Sequence, residues 1–256
     1  MDRDAFQMMA SHEDHHWWFV GRRAVIDALL DRLPLAAGSE VLEAGCGTGG
    51  NLFMLQRRGR VSAFEPSVIA REIAALKGDE PRVVVDGELP DRLPFAAGSF
   101  DLVVALDVLE HIERDQDALN SLVSMARPGG YILVTVPAHP VLWGQHDRRL
   151  SHIRRYRARD LRRICRASGS ELVHFTAFNM VLAPIAVTLR LLERIVPISF
   201  GNQERMPPGP LNGLLGRLFA IEGAIVRRWT LPAGLSYAAI LRRPINHAAH
   251  PSSPAG

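Results

Sequence analysis

Short apolar runs alternate with stretches of helical periodicity through the first half of the chain. The helical stretches repeat apolar residues three and four positions apart, whereas the short runs have the length of buried strands. Regular alternation of strand and helix predicts right-handed crossovers and an α/β fold, with a mostly parallel sheet between two helical layers. The predicted strands are 40–45, 60–65, 82–86, 100–106 and 130–136, and the predicted helices are 5–33, 49–58, 67–77 and 114–127.

The second half of the chain departs from this alternation. Residues 138–157 show no clear periodicity. A loop of that length in a compact domain is usually a lid or a binding loop, and we interpret it as a lid. The remaining predicted elements are a helix over 160–168, a sixth strand over 171–175 and a last strand over 235–243.

An insertion at 179–234 separates the last two strands. It contains helical patterns at 180–195 and 211–229, which we interpret as a helical cap over the substrate cleft or as a homodimer interface. Peripheral membrane contact through residues 180–230 is the alternative, because arginines flank an apolar stripe on the first pattern. The stripe consists of Leu182, Ile185, Leu189, Leu192 and Val196, and the arginines are Arg190 and Arg194.

These patterns predict a single domain over residues 1–244. A tail rich in proline, serine and alanine follows at 245–256 and is expected to be disordered. The parts of the domain are an N-terminal helical segment at 1–37, a ligand-binding core at 38–137, the lid loop at 138–157 and the cap insertion at 179–234.

The most specific chemistry lies in residues 41–50, with the sequence VLEAGCGTGG. An apolar run leads directly into four glycines and then into a helical pattern. Glycine has no Cβ, so this turn can adopt positive φ and let a nucleotide-like ligand lie on backbone N–H groups at a helix start. We therefore expect a ligand that contains a nucleoside.

Two acidic residues bear on which nucleoside cofactor binds. Gly45, Gly47 and Gly50 also satisfy the dinucleotide pattern G-x-G-x-x-G, which is weak evidence alone. Glu43 lies at the mouth of the first strand, where a cationic ligand would use a carboxylate and a nicotinamide cofactor would not. Glu65 ends the next strand, where it can accept hydrogen bonds from the ribose hydroxyls of either cofactor.

Five motifs occur in order along residues 38–137. They are the acidic residue and glycines at 43–49, a strand ending in aspartate at 82–87, the Leu-Pro-Phe and Ser-Phe-Asp segments at 93–104, the Glu-His segment at 107–112, and the Pro-Gly-Gly turn with its strand at 127–137. In this order and spacing the chain resembles the class I S-adenosylmethionine (SAM) dependent methyltransferases. The resemblance implies a Rossmann-like, mostly parallel seven-stranded sheet, with the last strand antiparallel between the fifth and the sixth, and SAM as the cofactor.

The resemblance also implies the cofactor contacts. The aspartate after the third strand contacts the adenine amino group in that family, which corresponds to Asp86 here. Arg22 and Arg23 are further candidates for the methionine carboxylate, without a spacing argument to support them. The expected cofactor-binding residues are Glu43, Gly45, Cys46, Gly47, Gly49, Glu65, Pro66, Asp86, Gly87, Leu106 and Asp107. Cys46 is interpreted as a small residue of the turn and not as a nucleophile.

The candidate catalytic residues are mostly histidines. Methyl transfer from SAM is an in-line displacement, so a general base helps only when the nucleophile is a weakly acidic hydroxyl. In the family the segment after the fourth strand faces the methyl group, which makes His111 the expected base, with helix capping as the alternative role. His146, Asp147 and His152 form a second set, as an alternative base or as cation ligands. A salt-bridged lid is the competing interpretation of that set, and no metal is assigned.

The lid loop also carries the expected acceptor-binding residues. The pattern His-Asp-x4-His-x2-Arg-Tyr at 146–156 resembles a subgroup of bacterial methyltransferases that shares the His-Trp-Trp-Phe segment at 16–19. Trp143, Arg155 and Tyr156 are expected to contact the acceptor. Arginine binds phosphates and carboxylates through paired hydrogen bonds, so an anionic acceptor is a hypothesis. The acidic and histidine-rich residues 12–16 are expected to form an exposed amphipathic helix and not a metal site.

Composition adds little to this prediction. The net charge is +3, but Lys77 is the only lysine, and arginine-rich chains with much alanine, glycine and proline are typical of GC-rich genomes, so no nucleic-acid partner is expected. Cys46 and Cys165 lie in segments unsuited to a disulfide, which favours a reducing compartment. The start of the chain lacks an apolar signal region. We expect a cytoplasmic protein, with membrane association through the insertion as the open alternative.

Together these features predict a SAM-dependent methyltransferase that acts on a hydroxyl of a small molecule, a glycan or a lipid-linked glycan. One alternative is methylation of carbon or nitrogen, for example on a quinone-type ring or on RNA. Another is a SAM-binding regulatory protein without turnover.

Overall fold

A seven-stranded sheet with the order β3-β2-β1-β4-β5-β7-β6 forms the centre of the protein in a computed structural model. The structure describes residues 3–77, 83–185, 187–188 and 206–245. Among the strands of these described ranges, only β7 runs antiparallel to its two neighbours, β5 and β6. This confirms the predicted topology. The strands are β1 Ser39–Ala44, β2 Gly59–Phe64, β3 Val83–Val85, β4 Phe100–Leu106, β5 Ala126–Pro137, β6 Glu171–Phe178 and β7 Ser236–Arg242.

Helices cover both faces of the sheet, as the alternation predicted. One apolar cluster joins the sheet to α5 and α7, and a second joins the opposite face to α2, α3 and α8. Parallel sheets occur with both faces covered in this way. The helices are α1 Arg3–His12, α2 Trp17–Leu30, α3 Leu52–Gln56, α4 Val68–Ala75, α5 Asp115–Met125, α6 Gln145–Arg149, α7 Ala158–Ala167 and α8 Gly209–Val226.

The N-terminal segment differs from its prediction as one helix over 5–33. It forms two helices, because residues 13–16 leave the helical path. His16 has an extended backbone, and its Nδ1 accepts a hydrogen bond from the N–H of Trp18 at 3.3 Å, which caps α2. The prediction that residues 12–16 are an exposed helix is wrong, since Glu13 and His16 are both buried.

The lid segment 138–157 is more ordered than its lack of periodicity indicated. It contains a 3-10 turn at Pro140–Leu142 and the short helix α6. Its end returns to β5, where the N–H of Tyr156 donates to the carbonyl of Pro137 at 2.9 Å and the N–H of His139 donates to that of Tyr156 at 2.8 Å. The segment is therefore pinned at both ends beside the carboxyl edge of the sheet.

The described part of the insertion packs in a layer against the sheet, and its interpretation as a cap or as a homodimer interface stays a prediction. Helix α8 lies along α2 on one sheet face, and glycines allow a close approach of the two helices. A Cβ on Gly21 would come within 2.6 Å of Phe219, and a Cβ on Gly223 within 2.9 Å of the carbonyl oxygen of Ala24. Residues 189–205, which hold most of the predicted apolar stripe, lie outside the described residues. Among the described helices, none is long and apolar enough to cross a membrane.

Candidate functional site

The glycine turn after β1 has the backbone that the sequence predicted. Gly45, Gly47 and Gly49 all have positive φ, at 70°, 54° and 84°. L-residues rarely adopt this region, so glycine is required for the turn. A Cβ placed on Gly47 would meet no described atom within 4 Å, which leaves the turn open to a ligand on that side. Burial raises the pKa of the Cys46 thiol, in agreement with its interpretation as an unreactive small residue.

Glu43 is a buried carboxylate directly beneath this turn. Its Oε1 accepts a hydrogen bond from Asn51 Nδ2 at 2.8 Å. Its Oε2 has no hydrogen-bond partner among the described residues. Burial is the main cause that raises the pKa of Glu43 to about 7, and the hydrogen bond from Asn51 opposes the shift. An unsatisfied buried oxygen of this kind calls for a cationic partner.

Glu65 occupies the position expected of the ribose ligand, at the end of β2. Its Oε2 accepts from the N–H of Gly47 and its Oε1 from the N–H of Ser67, both at 3.0 Å. Burial raises its pKa, and these two backbone hydrogen bonds oppose the shift. The carboxylate therefore links the glycine turn to the start of α4.

Glu13 is a site residue that the sequence did not reveal. It lies between α1 and α2, and Thr48 Oγ1 donates to its carboxylate at 3.0 Å. Lys77 forms an ion pair with the same carboxylate, which also fills the space beside Gly50. Burial raises its pKa. No periodic pattern could have found this contact, because it joins segments far apart in the sequence.

The three buried carboxylates of Glu13, Glu43 and Glu65 surround the glycine turn. Glu13 and Glu65 both contribute to the raised pKa of Glu43 through charge repulsion. A dinucleotide would bring its negatively charged pyrophosphate to this turn, where like charges repel it. A ligand with a cationic sulfonium and an ammonium group fits the same surroundings. The donor set therefore suits SAM and disfavours a nicotinamide cofactor.

The residues expected around the adenine have different surroundings in the structure. Asp86 follows β3 as predicted, where its carboxylate is paired with Arg71 at 2.6 Å and also with Arg92. Pro66 lies exposed after β2. Gly87 serves packing, because a Cβ there would come within 2.7 Å of the Pro94 ring. Leu106 is buried at the end of β4.

Asp107 follows β4 and is held rigidly. Its φ is 59°, an uncommon value for a residue other than glycine. Thr135 Oγ1 donates to its Oδ1 at 3.0 Å, and Arg22 contacts its Oδ2 at 2.7 Å. Arg22 pairs with Asp107 but its Nε has no hydrogen-bond partner among the described residues, and Arg23 donates to the carbonyl of Glu13. The role of either arginine at the methionine carboxylate stays a prediction.

His111 lies in a 3-10 turn, Leu109–His111, one turn beyond Asp107. Its Nδ1 lies 3.2 Å from the carbonyl oxygen of Ser151, and its ring centroid lies 4.9 Å from that of His152. A carbonyl can only accept, so Nδ1 carries the proton and Nε2 keeps a free lone pair. Partial burial of the ring, followed by repulsion from His152, lowers the pKa of His111.

Within the set His146, Asp147 and His152, the structure brings Asp147 and His152 into contact at 3.0 Å. Asp147 is fully buried, and its carboxylate accepts hydrogen bonds from the N–H of Gly144, from His152 Nδ1 and from Arg155 Nε. Burial alone would raise its pKa, but the bonds from His152 and Arg155 outweigh burial and lower it. Asp147 therefore organises the lid segment through these contacts, and its catalytic role stays a prediction. The salt-bridged interpretation of this set is the one that the contacts favour.

Two of the three expected acceptor-binding residues point into the interior. Arg155 is buried against Asp147 and donates to the carbonyl of Ala138 at 3.1 Å. The Tyr156 hydroxyl donates to Asp115 at 2.9 Å, and the residue is 3% exposed. Both side chains are already paired within the fold, which does not support their assignment to the acceptor, and that assignment stays a prediction. Trp143 is partly exposed in the lid segment, and its assignment to the acceptor stays a prediction.

Comparison with known proteins agrees with this geometry. The sequence model of a methyltransferase domain matches residues 18–175, more than half of the chain. The ubiquinone biosynthesis O-methyltransferase of Azoarcus sp. (strain BH72) is 32% identical over 165 residues, which are 56% of this chain and 69% of that protein. The chain spans smaller shares, 38% and 61%, of two other curated relatives.

Solved structures show the same fold. One is a methyltransferase in complex with the Haloferax volcanii Trm112 methyltransferase activator, with a TM-score of 0.62 and 17% identity over 97% of this chain and 99% of that one. Another is the geranyl diphosphate C-methyltransferase of Streptomyces coelicolor A3(2), crystallised with Mg²⁺ and S-adenosyl-L-homocysteine, with a TM-score of 0.55 and 16% identity over 85% and 77% of the two chains. The chain therefore belongs to the class I methyltransferase family, and S-adenosylmethionine is its cofactor.

Proposed function

We propose that this chain transfers the methyl group of SAM to a hydroxyl oxygen of a small molecule, a glycan or a lipid-linked glycan. The sulfur of SAM leaves as a neutral thioether, so the protein's main tasks are to align the two reactants and to exclude water. Glu43 and the glycine turn would hold the cofactor, and Glu65 and Asp86 would bind its ribose and adenine. A hydroxyl additionally needs a group that deals with its proton.

The position of His111 is the observation that supports an oxygen acceptor. The residue is exposed and follows Asp107 by one turn, at the carboxyl edge of β4, where ligands of open α/β sheets bind. The hydrogen bond of its Nδ1 to Ser151 leaves Nε2 as the free nitrogen. In the simplest scheme Nε2 takes the hydroxyl proton while the oxygen attacks the methyl carbon.

The relatives support transfer to oxygen without fixing the acceptor. The Azoarcus relative is named as an O-methyltransferase of ubiquinone biosynthesis, whereas the S. coelicolor structure is named as a C-methyltransferase. Methylation of carbon or nitrogen is therefore the second candidate. It requires no base when the nucleophile already carries a lone pair or an electron-rich double bond.

The experiment is an acceptor screen with methyl-labelled SAM. Catechols, simple sugars, nucleotide-linked sugars and carboxylic acids supply oxygen acceptors, and indoles and primary amines supply carbon and nitrogen acceptors. We expect label in a hydroxyl-bearing class only, with turnover that falls at least tenfold in His111→Gln while SAM binding is retained. The exposed histidine variant His15→Gln is the matched control and should keep full turnover.

Label found only on carbon or nitrogen acceptors would overturn the proposal. A His111→Gln variant that methylates hydroxyls as fast as the parent would remove the assignment of His111. SAM binding without turnover on any class would instead favour a SAM-binding regulatory protein.

A further inference from the structure

Glu110 is a carboxylate whose burial the cofactor site does not explain. It is 0% exposed, and neither of its side-chain oxygens has a hydrogen-bond partner in the described part of the chain. A buried carboxylate without a partner costs considerable free energy, so such groups are usually paired or bound to a metal ion. Two imidazoles lie beside it, and the charges of Asp107, Arg22 and Arg155 also act on it.

His152 approaches Glu110 with its free nitrogen. His152 Nε2 lies 3.9 Å from Glu110 Oε1, which is too long for a hydrogen bond. Two ligands of one tetrahedral zinc ion, each about 2.0–2.1 Å from it, lie roughly 3.4 Å apart, so a small shift would admit an ion between them. On the other side of the ring, Nδ1 lies 3.0 Å from the Asp147 carboxylate.

The contact with Asp147 fixes the tautomer of His152. The carboxylate can only accept, so the proton lies on Nδ1 and the lone pair lies on Nε2, facing Glu110. A carboxylate that orients the far nitrogen of a histidine is the usual support of a metal-binding histidine. Asp147 is itself held by Arg155 at 2.7 Å, so the support is rigid.

His111 completes the cluster in the same way. Its Nδ1 donates to the carbonyl of Ser151, which leaves Nε2 with its lone pair. Its ring is nearly perpendicular to that of His152, at 81°. One ligand atom from each of Glu110, His111 and His152 lies within 4.8 Å of the other two.

We propose that Glu110, His111 and His152 bind one divalent transition-metal ion, of the class of Zn²⁺, Mn²⁺, Fe²⁺ or Co²⁺. Two imidazoles and one carboxylate suit these ions, whereas Mg²⁺ and Ca²⁺ prefer oxygen ligands alone. Three protein ligands leave a coordination position open, as in catalytic sites. His111 is the exposed ligand, so an acceptor would reach the ion from the side of His111.

The catalytic role of this ion, though not its binding, depends on the proposed transfer to oxygen. An acceptor hydroxyl bound at the open position would be polarised, and its proton would pass to water before the oxygen attacks the methyl carbon. The C–S bond of SAM breaks as the O–C bond forms, and the sulfur keeps the electron pair. With the ion bound, the lone pair of His111 Nε2 would hold the ion and could not take the proton, so this form of the reaction would replace the scheme in which His111 is the base.

The test uses Co²⁺ as the probe and the full chain after dialysis against a chelator. Co²⁺ with nitrogen ligands absorbs visible light, so binding is measured without acceptor or turnover. We expect one saturable Co²⁺ per chain that Zn²⁺ displaces. Affinity should fall more than about tenfold in Glu110→Gln and in His111→Gln. Glu110→Gln keeps the size of the buried side chain, and His111 is exposed, so both variants should fold.

The histidines near the N-terminus provide the control. His12 and His16 stack at 6.3 Å and are a second place where an ion could bind by accident. His15→Gln and His12→Gln should leave the Co²⁺ spectrum and affinity unchanged. Absence of saturable binding to the parent, or equal binding by the Glu110→Gln and His111→Gln variants, would overturn the metal site.

The two proposals fail in different ways. A chelator-treated protein that binds no Co²⁺ and still methylates hydroxyls keeps the proposed function and loses the metal site. A protein that binds Co²⁺ through these residues but methylates only carbon or nitrogen keeps the site and loses the transfer to oxygen.

Discussion

Replacing Glu43 by glutamine should make the protein more stable at high pH and a poorer binder of SAM. Glu43 is buried beneath the glycine turn, with one oxygen bonded to Asn51 and the other without a partner in the described structure. Glutamine has nearly the same shape and can still accept the hydrogen bond from Asn51. The substitution therefore removes the charge and little else.

The raised pKa gives the size and the sign of the effect. The pKa is about 7 in the folded chain, against 4.5 for an unperturbed glutamate. At about 1.4 kcal/mol per unit, this difference corresponds to roughly 3 kcal/mol. The folded state binds the proton of Glu43 more tightly than the unfolded state does. The free energy of unfolding therefore falls as the pH rises from about 4.5 to about 7, and this stabilisation is fully lost above that range.

The assay is thermal denaturation of both proteins between pH 4.5 and 8. We expect equal stability at the acid end and a Glu43→Gln variant that is more stable by up to about 3 kcal/mol at pH 8, or roughly 6–12 °C in a chain of this size. Glu113→Gln, which removes an exposed carboxylate, should change neither value.

SAM binding by Glu43→Gln should weaken by about 10- to 100-fold, the value of one hydrogen bond to a charged group. Parallel pH curves for the parent and Glu43→Gln, together with unchanged SAM affinity, would refute the reasoning.

Three further predictions follow from the backbone and from the buried ion pair. Gly47→Ala and Gly38→Ala both place a Cβ at positive φ with no described atom within 4 Å. Both variants should therefore lose about 1–2 kcal/mol of stability. Only Gly47→Ala should weaken SAM binding, as measured by calorimetry. Gly21→Ala should lower the free energy of unfolding by about 1–3 kcal/mol in the denaturation assay, because its Cβ would overlap a phenylalanine ring of α8. Gly213→Ala, whose Cβ would lie in open space on α8, should raise the same free energy by up to about 1 kcal/mol. Arg155→Ala should cost about 3–5 kcal/mol of stability, since it leaves a buried carboxylate unpaired. A loss of acceptor affinity in folded Arg155→Ala, without a loss of stability, would contradict its assignment as a structural residue.

The strands could be predicted because they depend on local signals, whereas the antiparallel last strand between the fifth and the sixth was implied by the family resemblance. Fully buried strands give continuous apolar runs, and the glycines at 45, 47 and 49 mark a turn that other residues avoid. The strand ends were therefore predictable too, and with them the positions of Glu65, Asp86 and Asp107. The helix predicted over 49–58 proved shorter, at Leu52–Gln56, because Gly49 belongs to the turn.

The roles of the polar residues beyond β5 could not be predicted in the same way. The sequence shows that Arg155 and Tyr156 are polar, but not that Asp147 and Asp115 lie in the interior to pair with them. Glu13 and Glu110 were missed for the same reason. A polar residue reveals its burial only through distant partners, and these partners leave no periodic signal along the chain.

The central claim is that a cationic cofactor binds among buried carboxylates over the glycine turn, and calorimetric titration of the purified chain tests it most directly. SAM should bind with a stoichiometry of one, S-adenosylhomocysteine should compete with it, and NAD⁺ should produce no heat of binding. Saturable binding of NAD⁺ at the same site, with no heat from SAM or from S-adenosylhomocysteine, would contradict the claim.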